Sequence, residues 1–146
     1  MRLVLVHHAD TVRPDVDPQR PLTTLGHKQA EALAEAVRAR GAAPSAIWHS
    51  GKLRARQTAE PFLRNAPFAA FKMMKGLGVD EHGGAMRDML VGEDRELMIV
   101  GHMPNLSSLL ELLTGDRGGM PFHGAVGLER RDGQWTELWR EHLPKA

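Results

Sequence analysis

The chain has 146 residues, 42% hydrophobic and 25% charged, the size and usage of one globular domain over 1–146 with room for a real core. A net charge of +1 gives no footing for nucleic acid or an anionic membrane, and three Trp, four Phe and no Tyr supply few rings for base stacking. The absence of cysteine excludes disulfides, thiolate metal sites and a cysteine nucleophile. The first apolar run is too short for a secretory signal core and no stretch could span a bilayer, so a cytoplasmic protein is expected.

Leu3-Val4-Leu5-Val6 has no polar alternation, which reads as a strand buried on both faces, and it runs straight into His7-His8. A Pro- and Asp-rich loop covers 11–21. Thr23 or Thr24 then caps a helix in which Ala30, Leu33, Ala34 and Val37 share one face, and Gly41 closes it. Ala46-Ile47-Trp48-His49 is a second short strand, leading through Ser50-Gly51 into a basic helix over 53–64. Pro61 is expected to kink that helix or end it early. Residues 68–74 read as a third strand, 76–84 as a glycine-rich loop and 85–90 as a short helix.

Leu97-Met98-Ile99-Val100 repeats the pattern of the first strand and passes through Gly101 into His102. Beyond Pro104, Leu106, Leu109, Leu110 and Leu113 form the core stripe of another helix, with Gly115 as its stop. Asp132-Gly133, between 125–130 and 134–140, marks a hairpin. Strand–helix alternation with a terminal hairpin predicts α/β: a mainly parallel sheet with antiparallel character at one end.

Ligands of open α/β sheets bind beyond the carboxyl ends of the parallel strands. Four segments fall at such junctions or beside them: His7-His8-Ala9-Asp10, Arg20-Pro21-Leu22-Thr23, Ser50 to Thr58, and Gly101-His102-Met103-Pro104. If they share one edge, imidazoles and guanidiniums converge. Guanidinium forks and helix N-termini suit phosphoryl oxygens, and a neutral imidazole is a competent nucleophile toward phosphorus. Eight histidines also raise a metal reading. Neighbours on a strand point to opposite faces, so His7 and His8 should not chelate together; no HExxH spacing occurs, and the arginines repel a cation. No metal is expected. His27 and His49 lie outside the four segments and read as structural or exposed.

On these residues the chain resembles the histidine phosphatase superfamily, and specifically its small SixA-like phosphohistidine phosphatase branch. The family opens with a strand and R-H-G, where this chain has His7-His8-Ala9. Its R-P-L-T loop is intact at Arg20-Pro21-Leu22-Thr23, with the usual glycine at Gly26. Its S-x-x-x-R-A-x-Q-T segment matches Ser50, Arg54, Ala55, Gln57 and Thr58, and its late G-H with a following proline matches Gly101-His102-Met103-Pro104. The resemblance covers nearly the whole chain. It implies a three-layer α/β/α, phosphoglycerate mutase-like fold and a metal-independent, cofactor-free phosphatase.

By the same resemblance His8 is the nucleophile that becomes phosphorylated. Arg54 and Arg20 bind the phosphoryl oxygens, with His7 in the place of a further phosphate-binding residue. His102 donates to the same group, and the Met103 main-chain N–H assists. The implied substrate is phosphohistidine on a signalling protein. Two alternatives stand beside it: a small-molecule phosphomonoesterase, and a non-catalytic phosphate-binding module.

Two departures from the family pattern matter. His7 replaces a permanently charged arginine, and it offers a charged donor only when protonated. Losing one preorganised donor costs about 10²–10³ in rate, so reduced activity is expected, within a narrow pH window where His7 is charged and His8 neutral. Ala9 replaces glycine, which predicts a loop held at negative φ. Larger members carry a carboxylate acid between the Arg54 and His102 motifs. Asp80, Glu81 and His82 occupy that region here without a clear match, and read as solvated loop residues.

Overall fold

The computed structural model describes residues 1–143 as β1 (Arg2–His7), α1 (Thr24–Ala39), β2 (Ala46–His49), α2 (Leu53–Asn65), β3 (Ala70–Met73), α3 (Gly84–Val91), β4 (Leu97–Gly101), α4 (Asn105–Thr114), β5 (Ala125–Arg131) and β6 (Gln134–Glu141). They build one sheet in the order β3-β2-β4-β1-β5-β6. β1 to β4 run parallel, while β5 pairs antiparallel with β1 and β6 antiparallel with β5.

The unbroken apolar runs are explained by two covered faces. Leu3, Leu5, Trp48, Leu97 and Ile99 pack toward α3 and α4, against Met86, Leu90, Leu106, Leu109 and Leu110. Their neighbours in sequence, Val4, Val6, Ile47, Met98 and Val100, pack the other way, against Leu33 and Val37 of α1 and Ala59 and Phe62 of α2. The result is the three-layer α/β/α arrangement. Side chains of this size contribute about 1.5–3 kcal/mol each when fully buried, so the two faces together hold helices and sheet in register.

Local chemistry sets the element ends. The Thr23 hydroxyl accepts the Gly26 amide at the start of α1, and Gly41 just past its end has φ 85°. Asp132 and Gly133 both take positive φ, the requirement of the tight turn joining β5 to β6.

Two expectations need correction. Pro61 neither ends nor splits α2, which continues to Asn65. The proline forgoes one main-chain bond, but the face it sits on, with Ala55, Thr58, Ala59 and Phe62, is buried and holds the helix down. β3 is shorter than 68–74. It is an edge strand, Phe68 before it is wholly exposed, and the Ala69 amide turns back to Ala66.

Candidate active site

β1 and β4 are adjacent and in register, with His7 opposite Gly101. The His8 amide extends the ladder by one bond, donating to the Gly101 carbonyl at 3.1 Å. Residues 8 and 102 therefore leave the sheet side by side, their rings 5.2 Å apart. They open onto a cavity of about 340 Å³ lined by His7, His8, Asp10, Thr11, Arg20, Arg54, Val79, His102, Met103, Phe122 and His123. All six residues singled out above (His8, His102, Arg54, Arg20, His7 and Met103) border it. Asp80, Glu81 and His82 do not; they are exposed, and the chain presents Val79 to the cavity instead.

The remaining motif residues hold the loops. Thr58 accepts the Ala9 amide at 3.0 Å and donates to the Arg54 carbonyl at 2.8 Å. Gln57 accepts the Leu22 amide at 2.8 Å. One turn of α2 thus grips both the segment after β1 and the Arg20 loop. Asp10 is tied to α1 through Gln29 and Thr23. Gly26 has a steric reason: a Cβ there would collide with the Asp10 carbonyl oxygen. Ala9 keeps an ordinary negative φ.

Two buried polar atoms at this cavity have no partner in the protein: His102 Nδ1 and Arg54 Nε. A buried polar group left unpaired costs about 1–3 kcal/mol, so the pair marks where a ligand's acceptor oxygens fit. Arg20, in contrast, already spends Nη2 on the Thr11 hydroxyl (2.6 Å) and Nε on the Val12 carbonyl (3.3 Å).

The hydrogen bonds also set where each ring carries its hydrogen. His8 Nδ1 lies 2.8 Å from the Ala9 carbonyl, which only accepts, so Nδ1 donates and Nε2 keeps its lone pair. Ser50 receives the Lys52 amide at 3.3 Å and sits 2.6 Å from His102 Nε2. While accepting from Lys52, the Ser50 hydroxyl is able to donate to His102 Nε2, and that arrangement puts the ring hydrogen on the unpartnered Nδ1, the tautomer that an anion's oxygen would select.

Burial dominates the electrostatics. It lowers His8 to about 4, with the Ala9 hydrogen bond acting the other way and Arg54 reinforcing the fall. Burial, then Arg54 and His8, takes His102 to about 3. For His7, burial followed by His8, His123 and His102 lowers the value to about 2. Arg54 is itself lowered by burial and by Arg20, yet a guanidinium stays charged at neutral pH. The cavity presents neutral imidazoles beside permanent cations, which suits a tetrahedral oxyanion.

Contrary to the expectation from strand alternation, His7 and His8 lie on the same side. β1 ends at His7, so strand alternation no longer governs His8, and the two rings lie 4.4 Å apart. With His123 they offer ring nitrogens within 4.8 Å of one another. The His123 amide, however, donates to His7 Nδ1 at 2.8 Å. A neutral His7 then carries hydrogen on Nε2 and has no lone pair left for an ion, while Arg54 adds a repelling charge. These residues do not fit a three-imidazole metal centre.

His123 and Phe122 were missed in the sequence. They precede β5, whose amino end meets the carboxyl end of β1 because the two strands are antiparallel. Only a known β1–β5 pairing would have placed them here.

The sequence model described as the histidine phosphatase superfamily (branch 1) matches residues 3–97. The chain belongs to the histidine phosphatase superfamily. Among solved structures, a protein histidine phosphatase SixA complexed with tungstate aligns with a TM-score of 0.85 at 20% identity, covering 97% of each chain. The SixA protein of Agrobacterium tumefaciens gives 0.83 at 23% identity, again over 97% of each. A mycobacterial glucosyl-3-phosphoglycerate phosphatase in complex with VO3 gives 0.71 at 18% identity, over 94% of this chain and 98% of that one. Identities of this order establish the shared fold. No curated protein sequence matches the chain.

Proposed function

We propose that this protein is a metal-independent phosphatase that works through a phosphoryl-His8 intermediate and acts on phosphohistidine carried by a signalling or phosphotransfer protein. The carrying observation is the pair of unpartnered nitrogens, His102 Nδ1 and Arg54 Nε, at the cavity that His8 borders. In the first step the His8 Nε2 lone pair attacks phosphorus. The P–N bond to the substrate breaks and its imidazole nitrogen takes a proton from water. In the second step water attacks phosphorus, the P–Nε2 bond breaks, and inorganic phosphate leaves a neutral His8. Arg54, Arg20, His102 and the Met103 amide hold the oxygens as their charge redistributes.

Phosphohistidine is favoured over a phosphate ester by what borders the cavity. Asp10 is the lone carboxylate among its lining residues, and it is engaged by the Thr23 hydroxyl. An alkoxide leaving group needs an acid, whereas imidazole departs readily near neutral pH. The SixA likeness agrees with this reading. We place the protein in the cytoplasm as a single domain; among the described residues no helix is long and apolar enough to cross a membrane.

Rapid mixing with a protein substrate labelled on phosphohistidine, quenched in base, should leave label on His8 that is lost in acid. Turnover without any protein-bound label would overturn the covalent route. Ser50→Ala tests the His102 assignment. Freed of its hydroxyl partner, the ring can place hydrogen on Nε2, and tungstate affinity should fall about tenfold, one hydrogen bond's worth. Ser50→Thr should keep most of it in the same titration.

A further inference from the structure

We infer that His7 serves the phosphoryl group as a neutral Nε2–H donor, and that the His123 main chain is the positioning element that holds it in this tautomer. The role assigned to His7 rests on the phosphatase reading above; the tautomer does not.

A backbone amide donates and never accepts. With the His123 N–H directed at His7 Nδ1 at 2.8 Å, that nitrogen must carry the lone pair, and the hydrogen of a neutral ring sits on Nε2. The turn that supplies the amide is itself fastened to the same pair of residues. The His7 amide donates to the Gly124 carbonyl at 3.0 Å, and His123 Nδ1–H donates to the His8 carbonyl at 2.6 Å. The Gly124 amide closes the turn onto Pro121 at 3.1 Å. His123 takes φ 53°, a conformation uncommon outside glycine. This geometry is retained while amide and ring each make a bond to the β1 end. The His7 and His123 rings stack, 5.1 Å apart and 9° from parallel.

Nothing beside His7 favours a proton on it. His8 follows it at the end of β1, His123 faces it from the turn before β5, His102 from the end of β4 and Arg54 from α2, and each disfavours a positive charge. Arg20 and Asp10 line the same cavity, Asp10 being held by Thr23. Buried among these groups, with Nδ1 facing an amide that can only donate, His7 stays neutral near pH 7. This corrects the expectation that His7 must be charged to help, and removes the narrow pH window. The arginine of the family pattern is replaced here by a neutral donor of fixed direction.

Two measurements test this. In long-range ¹H–¹⁵N spectra of the wild-type protein, His7 should show a protonated Nε2 and an unprotonated Nδ1 throughout pH 5–8. Hydrogen on Nδ1, or a titration midpoint inside that range, overturns the tautomer. The second is a pair of variants. In His7→Asn the side-chain oxygen can still accept the His123 amide, but nothing occupies the Nε2 position. In His7→Gln the amide NH₂ reaches the Nε2 position while the Nδ1 contact is lost. A donor role predicts that His7→Asn loses at least tenfold more tungstate affinity and kcat/KM than His7→Gln. A purely structural role predicts the reverse order, which would overturn the inference. If tungstate affinity follows the predicted order in a protein without phosphatase turnover, the donor stands and the proposed function falls.

Discussion

Replacing His8 with alanine is expected to lower turnover of a phosphohistidine substrate by at least about 10⁴-fold, the scale seen when a covalent nucleophile is removed. Tungstate affinity should fall by no more than about tenfold. The two effects separate because binding and bond-making draw on different atoms. The unpartnered nitrogens His102 Nδ1 and Arg54 Nε remain when residue 8 is truncated, and so does Arg20. What vanishes is the Nε2 lone pair, which the Ala9 carbonyl keeps free by engaging Nδ1. The truncation also opens space beside His7 and His123 without removing the turn's grip on the main chain, since the bond from His123 runs to the carbonyl of residue 8. Calorimetry with tungstate and rapid-quench turnover on the same preparation check both halves. A variant that loses binding in step with turnover would mean that His8 organises the site rather than attacking phosphorus.

The fold was largely legible because its signals are physical and local. Leu3 to Val6 and Leu97 to Val100 are apolar at every position since helices cover both faces. Thr23, Gly41, Gly115 and Asp132-Gly133 announce element ends through capping and positive φ. Where the reading slipped, tertiary packing had overridden the local rule: Pro61 stays helical because its face of α2 is buried, and β3 is trimmed by being an edge.

The site was legible to the extent that each residue follows its own strand. His8, Ser50 and His102 each follow the carboxyl end of a parallel strand, so order along the chain predicted convergence. His123 was hidden because its position depends on β5 pairing antiparallel with β1, a contact between the two ends of the sequence. Tautomers were hidden for a different reason. Whether His7 donates or accepts is decided by one amide 116 residues away in sequence, and composition carries no trace of it. Motif positions such as Gln57 and Thr58 were recognisable by pattern, but their work of clamping Leu22 and Ala9 emerges from distances.

The same rings that favour a neutral nucleophile should make the protein acid-sensitive. His7, His8 and His102 sit at about 2, 4 and 3 in the folded chain against an ordinary value of 6.5. Unfolding exposes them, and below pH 6.5 the unfolded chain takes up protons that the native site refuses. Stability is therefore intact above pH 6.5 and falls as pH drops toward the native values, by about 1.4 kcal/mol per pH unit for each ring held fully neutral. Because the unfolded rings are only half protonated at pH 6.5, three rings would give about 3 kcal/mol between pH 6.5 and 5.5; water in the open cavity screens part of this, leaving about 2 kcal/mol. That is a large share of the total for a domain of this size. Urea unfolding at pH 7 and pH 5.5 should show the midpoint dropping accordingly, and His7→Gln, with one fewer refused proton, should shrink the drop by about a third. Equal midpoints at the two pH values would mean that the imidazoles accept protons in the folded state, and the neutral cluster on which both nucleophile and donor depend would not exist.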